Sequence, residues 1–170
     1  GWGMFGYTCL EPQNVIDAFS SITADIIILK DYLGNAYLPE WSFNGIGNLQ
    51  IGHGYFVKTT VSSSLTFYGS YLLPEENPIN ILSGWNIIGY LRITPFPLDE
   101  VFQDLVESDL IVIIKDYMGA AYLPEYNFNG IGDMEAGIGY QVKTAQAVTL
   151  QYLSNDDSYR MSATEVTENN

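Results

Sequence analysis

Apolar and polar positions along this 170-residue chain run through one programme twice. The apolar stretch Trp2–Tyr7 is answered by Trp85–Leu91, and each leads into a proline-bearing turn, at Pro12 and at Pro95 and Pro97. After the second turn Leu98, Val101, Phe102, Leu105 and Val106 fall at the i, i+3, i+4, i+7, i+8 spacing of a helical stripe, with Asp99, Glu100, Gln103 and Asp104 between them. Val15, Ala18, Phe19 and Ile22 keep the stripe after the first turn. Acidic residues in the opening turn suit the positive end of a helix dipole.

The period then changes. Ile26–Leu29 and Leu110–Ile114 are short, continuous and β-branched, which predicts strands covered on both faces and therefore central. Asp31-Tyr32-Leu33-Gly34 and Asp116-Tyr117-Met118-Gly119 predict hairpin turns into strands at Ala36–Leu38 and Ala121–Leu123. A Pro-Glu-aromatic segment follows, then a glycine loop, Asn44-Gly45-Ile46-Gly47 or Asn129-Gly130-Ile131-Gly132. A last hairpin is expected to pair Tyr55–Lys58 with Leu65–Tyr68, and Tyr140–Lys143 with Val148–Tyr152. Tyr55 and Val57 recur as Tyr140 and Val142 while Phe56 becomes Gln141, so the Tyr/Val face is expected inside and Phe56 outside.

The recurrence is one of sequence as well as pattern. Lys30–Thr59 realigns on Lys115–Thr144 at an offset of 85 with 20 of 30 positions identical, and GWGMFGY at Gly1 matches GWNIIGY at Gly84 at an offset of 83. Repetition on this scale sets the architecture. A unit of roughly 85 residues is near the lower limit for burying its own core, so two units sharing one core are expected. The predicted fold is mainly β, a β-rich α+β class. Two strand–helix–four-strand repeats would be related by a pseudo-twofold axis and packed as a closed or nearly closed barrel-like sandwich. Residues 1–68 form repeat 1, 69–83 a linker, 84–153 repeat 2 and 154–170 a polar, acidic tail; two separate small domains are the alternative.

Composition narrows the function classes. With 47% hydrophobic and 14% aromatic residues the chain is globular. Six basic residues against 20 acidic ones give a net charge of −14, which argues against nucleic acid and anionic membrane surfaces, both of which need Lys/Arg patches. No apolar run reaches the length of a membrane span. Cys9 stands alone, so no intrachain disulfide forms. Because the chain opens at Gly1 directly on the motif, it is expected to be a piece of a larger polypeptide.

Little of the candidate chemistry survives comparison of the two copies. The glycine loops lack the helix and the Lys-Ser/Thr of a phosphate-binding loop, and turns of positive φ account for them. His53 is expected in a solvent-facing loop; it has Ile138 as its counterpart and no partner for metal or acid–base work. Asp31/Asp116 and Glu40/Glu125 recur, as a two-carboxylate hydrolase would require. Lys30, Lys58, Lys115 and Lys143 offer them simpler structural ion pairs. For cofactors the expectation is none, calcium finding only weak oxygen-donor sets at Asn155-Asp156-Asp157 and around Asn48 and Asp133.

Aromatic residues at turns carry the functional expectation. Tyr32/Tyr117, Tyr37/Tyr122, Trp41/Tyr126 and Phe43/Phe128 recur beside turns, where rings can form a stacking platform for sugars or a protein contact. The binding candidates are Trp41, Tyr126, Tyr32, Tyr117, Phe43 and Phe128. Trp2 and Trp85, inside the opening strands, are expected in the core.

The run Gly-Trp-x-φ-φ-Gly-Tyr (φ apolar), Tyr-Leu-Pro-Glu, Asn-Gly-Ile-Gly and Gly-x-Gly-Tyr-x-Val-Lys covers Gly1–Tyr152. It resembles a tandem module of large secreted, surface and virion-fibre-like proteins of marine bacteria and their phages. It is also similar to the GWN and GxGYW repeats that end many bacterial surface proteins. Gly3 departs from the pattern where the second copy has Asn86, and Tyr55-Phe56 departs where others carry Tyr-Trp. The resemblance implies an accessory module outside the cell or on a virion and no catalytic residue. The expected function is thus non-enzymatic interaction or adhesion with a surface protein, a glycan or copies of itself. A purely structural or assembly domain is the alternative, and a carboxylate hydrolase the third reading.

Overall fold

The computed structural model describes residues 1–70 and 72–156. Its first half runs through strands β1 (Trp2–Gly6), β2 (Gln13–Asn14), β3 (Ile26–Lys30), β4 (Ala36–Leu38), β5 (Phe43–Asn44), β6 (Asn48–Leu49) and β7 (Gly54–Thr59). Helix α1 (Val15–Ala18) and a 3-10 helix (Ser20–Asp25) lie between β2 and β3. The second half holds β8 (Ile79–Ile81), β9 (Gly84–Gly89), β10 (Phe96–Pro97), α2 (Leu98–Val101) and α3 (Gln103–Glu107). After them come β11 (Ile111–Lys115), β12 (Ala121–Leu123), β13 (Phe128–Asn129), β14 (Asp133–Met134), β15 (Gly139–Thr144) and β16 (Val148–Leu150).

Each half carries one antiparallel five-stranded sheet, ordered β1-β7-β3-β4-β5 and β9-β15-β11-β12-β13. β2–β6, β10–β14 and β8–β16 are separate two-stranded ladders. The fold is β-rich and antiparallel, but neither five-stranded sheet closes into the expected barrel. The reason is length: β4 has three residues and β5 two, and a 3-10 turn at Pro39–Trp41 bends the chain between them, so the ladder cannot be carried round to β1.

The expected amphipathic helices are each broken after one turn, at Phe19, where a 3-10 segment with a non-helical Ile22 follows, and at Phe102 between α2 and α3, but the apolar face is buried as the period dictates. Leu98 and Phe102 are fully buried while Asp99, Gln103 and Asp104 face out. The glycine loop seats each helix, since the Gly47 carbonyl accepts the Val15 N–H and the Gly132 carbonyl accepts the Leu98 N–H, both at 3.0 Å. Asn44 Oδ1 holds that loop by accepting from Gly47 N at 2.8 Å, and Asn129 Oδ1 from Gly132 N at 2.9 Å.

Three strand expectations are corrected. β3 and β11 lie in the middle of their sheets, yet Ile27 and Val112 are exposed, so these strands are covered on one face with alternate residues turned to solvent. The last hairpin does not form, because β7 lies between β1 and β3, and β15 between β9 and β11, with no free edge on either. Instead Val148–Leu150 pairs with Ile79–Ile81, a strand within the stretch read as the linker, whereas Leu65–Tyr68 belongs to no strand. The inward face of β7 and β15 is as expected, with Tyr55 and Tyr140 buried.

Buried apolar side chains form two clusters, one around Tyr7, Val15, Phe19, Leu29 and Tyr55, the other around Ile79, Ile81, Tyr90, Phe102 and Tyr152. Between them runs a seam built on glycine. The Gly6 N–H donates to the Gly137 carbonyl at 3.0 Å and the Gly89 N–H to the Gly52 carbonyl at 2.9 Å. A Cβ on Gly54 would lie 2.5 Å from Ile87 Cγ2, and one on Gly139 would lie 2.6 Å from the Phe5 carbonyl oxygen. Only glycine lets the backbones approach so closely. Met4 and Ile87 are buried in neither cluster, which explains why the opening strands are apolar at consecutive positions: alternate residues face the strand's own core and the seam.

Candidate functional site

The Pro-Glu-aromatic segments are rigid turns. Proline opens each 3-10 turn at its first position, and Ser42 and Asn127 close it with left-handed backbones, φ 50° and 49°. The closing hydrogen bonds run from Ser42 N to Pro39 O at 3.0 Å and from Asn127 N to Pro124 O at 2.9 Å. The chain then pairs back, Leu38 with Phe43 and Leu123 with Phe128. Each phenylalanine ring covers the backbone of the next glycine: a Cβ on Gly45 or Gly130 would meet the Phe43 or Phe128 ring at 3.0 Å.

This geometry leaves rings in water. Trp41 is 74% and Tyr126 70% exposed, and Phe43, Phe128 and Tyr117 are exposed as well. Among the described residues none of these five stacks on another ring. Tyr32 differs, being half-buried and set edge-on against His53 with ring centroids 5.7 Å apart. Tyr37 and Tyr122, also paired beside the turns, belong to the cores.

His53 is not the solvent-facing loop residue expected. It bridges to Ile88 across the seam, and burial holds its imidazole below the ordinary range against an opposing pull from Asp31. The recurring aspartates are turn residues: Asp31 Oδ1 accepts from Leu33 N and Asn35 N at 2.9 and 2.8 Å, and Asp116 Oδ1 from Met118 N and Ala120 N at the same distances. Glu125 lines a groove with Val106, Asp109, Ile111, Val112 and Pro124, all of its own half, and Glu40 is not part of it. That groove does not bring the recurring pair Glu40 and Glu125 together. No cluster of three His, Cys, Asp or Glu residues suited to a metal occurs among the described residues. Asn155 Oδ1 accepts the Ile93 N–H at 2.9 Å, and Asp157 of that candidate calcium set lies outside the described residues.

The lysines read as ion-pair partners instead clasp tryptophans. Lys30 and Lys58 Nζ lie 5.9 and 5.6 Å from the Trp2 ring centroid, and Lys115 and Lys143 Nζ lie 5.4 and 5.8 Å from that of Trp85. Trp2 and Trp85 are 50% and 44% exposed, so the expectation that they are core is overturned. Sheet register is the cause: Trp2 sits opposite Lys58 and Trp85 opposite Lys143, on the face away from the helix-covered core. The recurrence of Lys at the ends of β3 and β7 was the available signal; reading it needs the strand order. Phe56 is on that outer face, as expected, edge-on to Trp2 at 6.1 Å.

Among the described residues no helix is long and apolar enough to cross a membrane. No protein-family model, curated protein or solved structure matches this chain.

Proposed function

We propose that this chain is a non-enzymatic interaction module that binds glycan or protein through the aromatic turns around Trp41 and Tyr126. The observation carrying the reading is a pair of large, solvent-exposed rings held on proline-started turns at matching positions of the two halves. Rigid, unstacked aromatic faces lose little entropy on binding, which is what a sugar ring or an apolar side chain requires. A net charge of −14 favours neutral or cationic ligands over anionic ones. The extracellular or virion setting rests on the motif resemblance alone.

A pseudo-twofold relation of the halves is part of this reading. The reciprocal Gly6–Gly137 and Gly89–Gly52 hydrogen bonds support it. Two like turns on one body would let a multivalent surface be gripped more tightly than a single ligand.

Screening the 170-residue chain on a glycan array and against bacterial surface extracts tests the reading. Trp41→Ala and Tyr126→Ala should each weaken binding about tenfold or more, as loss of an aromatic anchor does, while leaving the unfolding midpoint in place. Binding that survives the double variant at full strength would refute it.

A further inference from the structure

Phe5, Phe19, Ile22, Val57, Leu65 and Phe67 line an open groove of about 370 Å³ beside the first sheet. That is an order of magnitude more than the ~30 Å³ share of one water. Their counterparts in the second half are Ile88, Phe102, Leu105, Val142, Leu150 and Tyr152, and there the place is filled. The filler is β8: Ile79 and Ile81 are buried within that cluster, paired antiparallel to Val148–Leu150. A second marker agrees. Gly52 sits against Ile79, where a Cβ would lie 2.9 Å from Ile79 Cγ1, whereas its counterpart Gly137 lines the open groove and would meet nothing within 4 Å.

We infer that this groove accepts an extended strand from a separate polypeptide, added antiparallel to Ser63–Leu65, with two aliphatic side chains separated by one residue. Strand addition uses the backbone groups of Ser63–Leu65, which belongs to no strand, for affinity, and the apolar groove for selection. The pattern Ile-x-Ile follows from the chain's own Ile79-Asn80-Ile81. That the strand is separate follows from Asn86. Its Oδ1 accepts the Leu82 N–H at 3.0 Å, and its Nδ2 donates to the carbonyls of Leu82 and Gly84 at 2.7 and 3.1 Å, fastening the turn that joins β8 to β9. Gly3 stands at the matching position and has no side chain to hold such a return.

The test titrates the 170-residue chain with a synthetic peptide of residues 76–83 (ENPINILS) and follows amide exchange by mass spectrometry. Saturable protection at residues 63–65, with residues 148–150 unchanged, is the expected result. A peptide with Asp at both Ile79 and Ile81 should bind at least about tenfold more weakly, since two buried aliphatic groups are lost. Trp41→Ala protein should bind the peptide normally, so that failure of the aromatic-turn reading and failure of this one are told apart; Phe67→Arg should not bind it. Four results would overturn the inference: no protection, equal protection by the Asp peptide, protection at 148–150 instead, or protection only when the segment is fused ahead of Gly1. Concentration-dependent dimerisation that protects 63–65 without peptide would assign the groove to a second copy and overturn it equally.

Discussion

Single residues on this scaffold matter chiefly through where they are desolvated. Burial lowers the His53 pKa, so the folded state holds the neutral ring more firmly than the unfolded chain does. As pH falls through about 6.5 the unfolded chain takes the proton first, and stability present at neutral pH is lost toward the lower native pKa. His53→Ile, the residue that Ile138 supplies in the other half, should shrink the difference in urea midpoint between about pH 7 and pH 5. An unchanged difference would mean that the ring is not desolvated. The tyrosines act at the alkaline end. Burial pushes Tyr55 and Tyr140 up to about 12, so their contribution is intact below about pH 10 and is lost as pH rises toward 12. Tyr140 Oη accepts the Glu135 N–H at 2.9 Å. Tyr140→Phe should therefore cost about 1 kcal/mol near neutral pH, by leaving that donor unpaired, and should flatten the alkaline loss in a denaturation series.

At the scale of elements, legibility in the sequence tracked how local the determinant was. The buried face of the helix stripe and the Asp31 and Asp116 turns each depend on residues a few positions apart, and both were readable, whereas the pattern left Trp41 and Tyr126 open between core and surface. Trp2 was misread because its companions, Lys30 and Lys58, come from two other strands, and only the order β1-β7-β3 brings them together. The partner of Val148–Leu150 was misread for the same reason: its true mate lies some 70 residues earlier, as the Thr149–Asn80 pairing shows, while a hairpin neighbour stood close by. The seam could be seen only as an excess of glycine, since what each glycine faces belongs to the opposite half. Asn86 offers a direct test of how β8 is held. Its amide is buried and makes three hydrogen bonds to Leu82 and Gly84, so Asn86→Ala leaves the Leu82 N–H without its partner and the Leu82 carbonyl with the Thr144 hydroxyl alone. A loss of about 2–3 kcal/mol is expected, with amide exchange accelerating at Ile79–Ile81 before it does in β9. Uniform acceleration across both strands would show that β8 does not detach separately.

For the molecule as a whole, the two halves are unequal partners. Among the described residues the second cluster holds sixteen buried apolar side chains and the first nine, and β8 accounts for part of the excess through Ile79 and Ile81. The first half has an open groove lined by Phe5, Phe19, Leu65 and Phe67. Each half also exposes seam surface when alone, Met4 and Gly6 on one side and Ile87 and Gly89 on the other, but only the second has a filled core behind that surface. Small units lacking part of their core fall below the burial needed to offset chain entropy. Residues 72–156 expressed alone should then unfold cooperatively in urea, and residues 1–70 alone should not. Mixing the two should restore ordered signals from the first half through the seam, where the Gly6 N–H regains the Gly137 carbonyl and Gly89 regains Gly52. Cooperative folding of residues 1–70 in isolation would show that its smaller cluster suffices and that the groove costs the fold little; failure of the mixture to order it would show that the glycine seam does not template the first half.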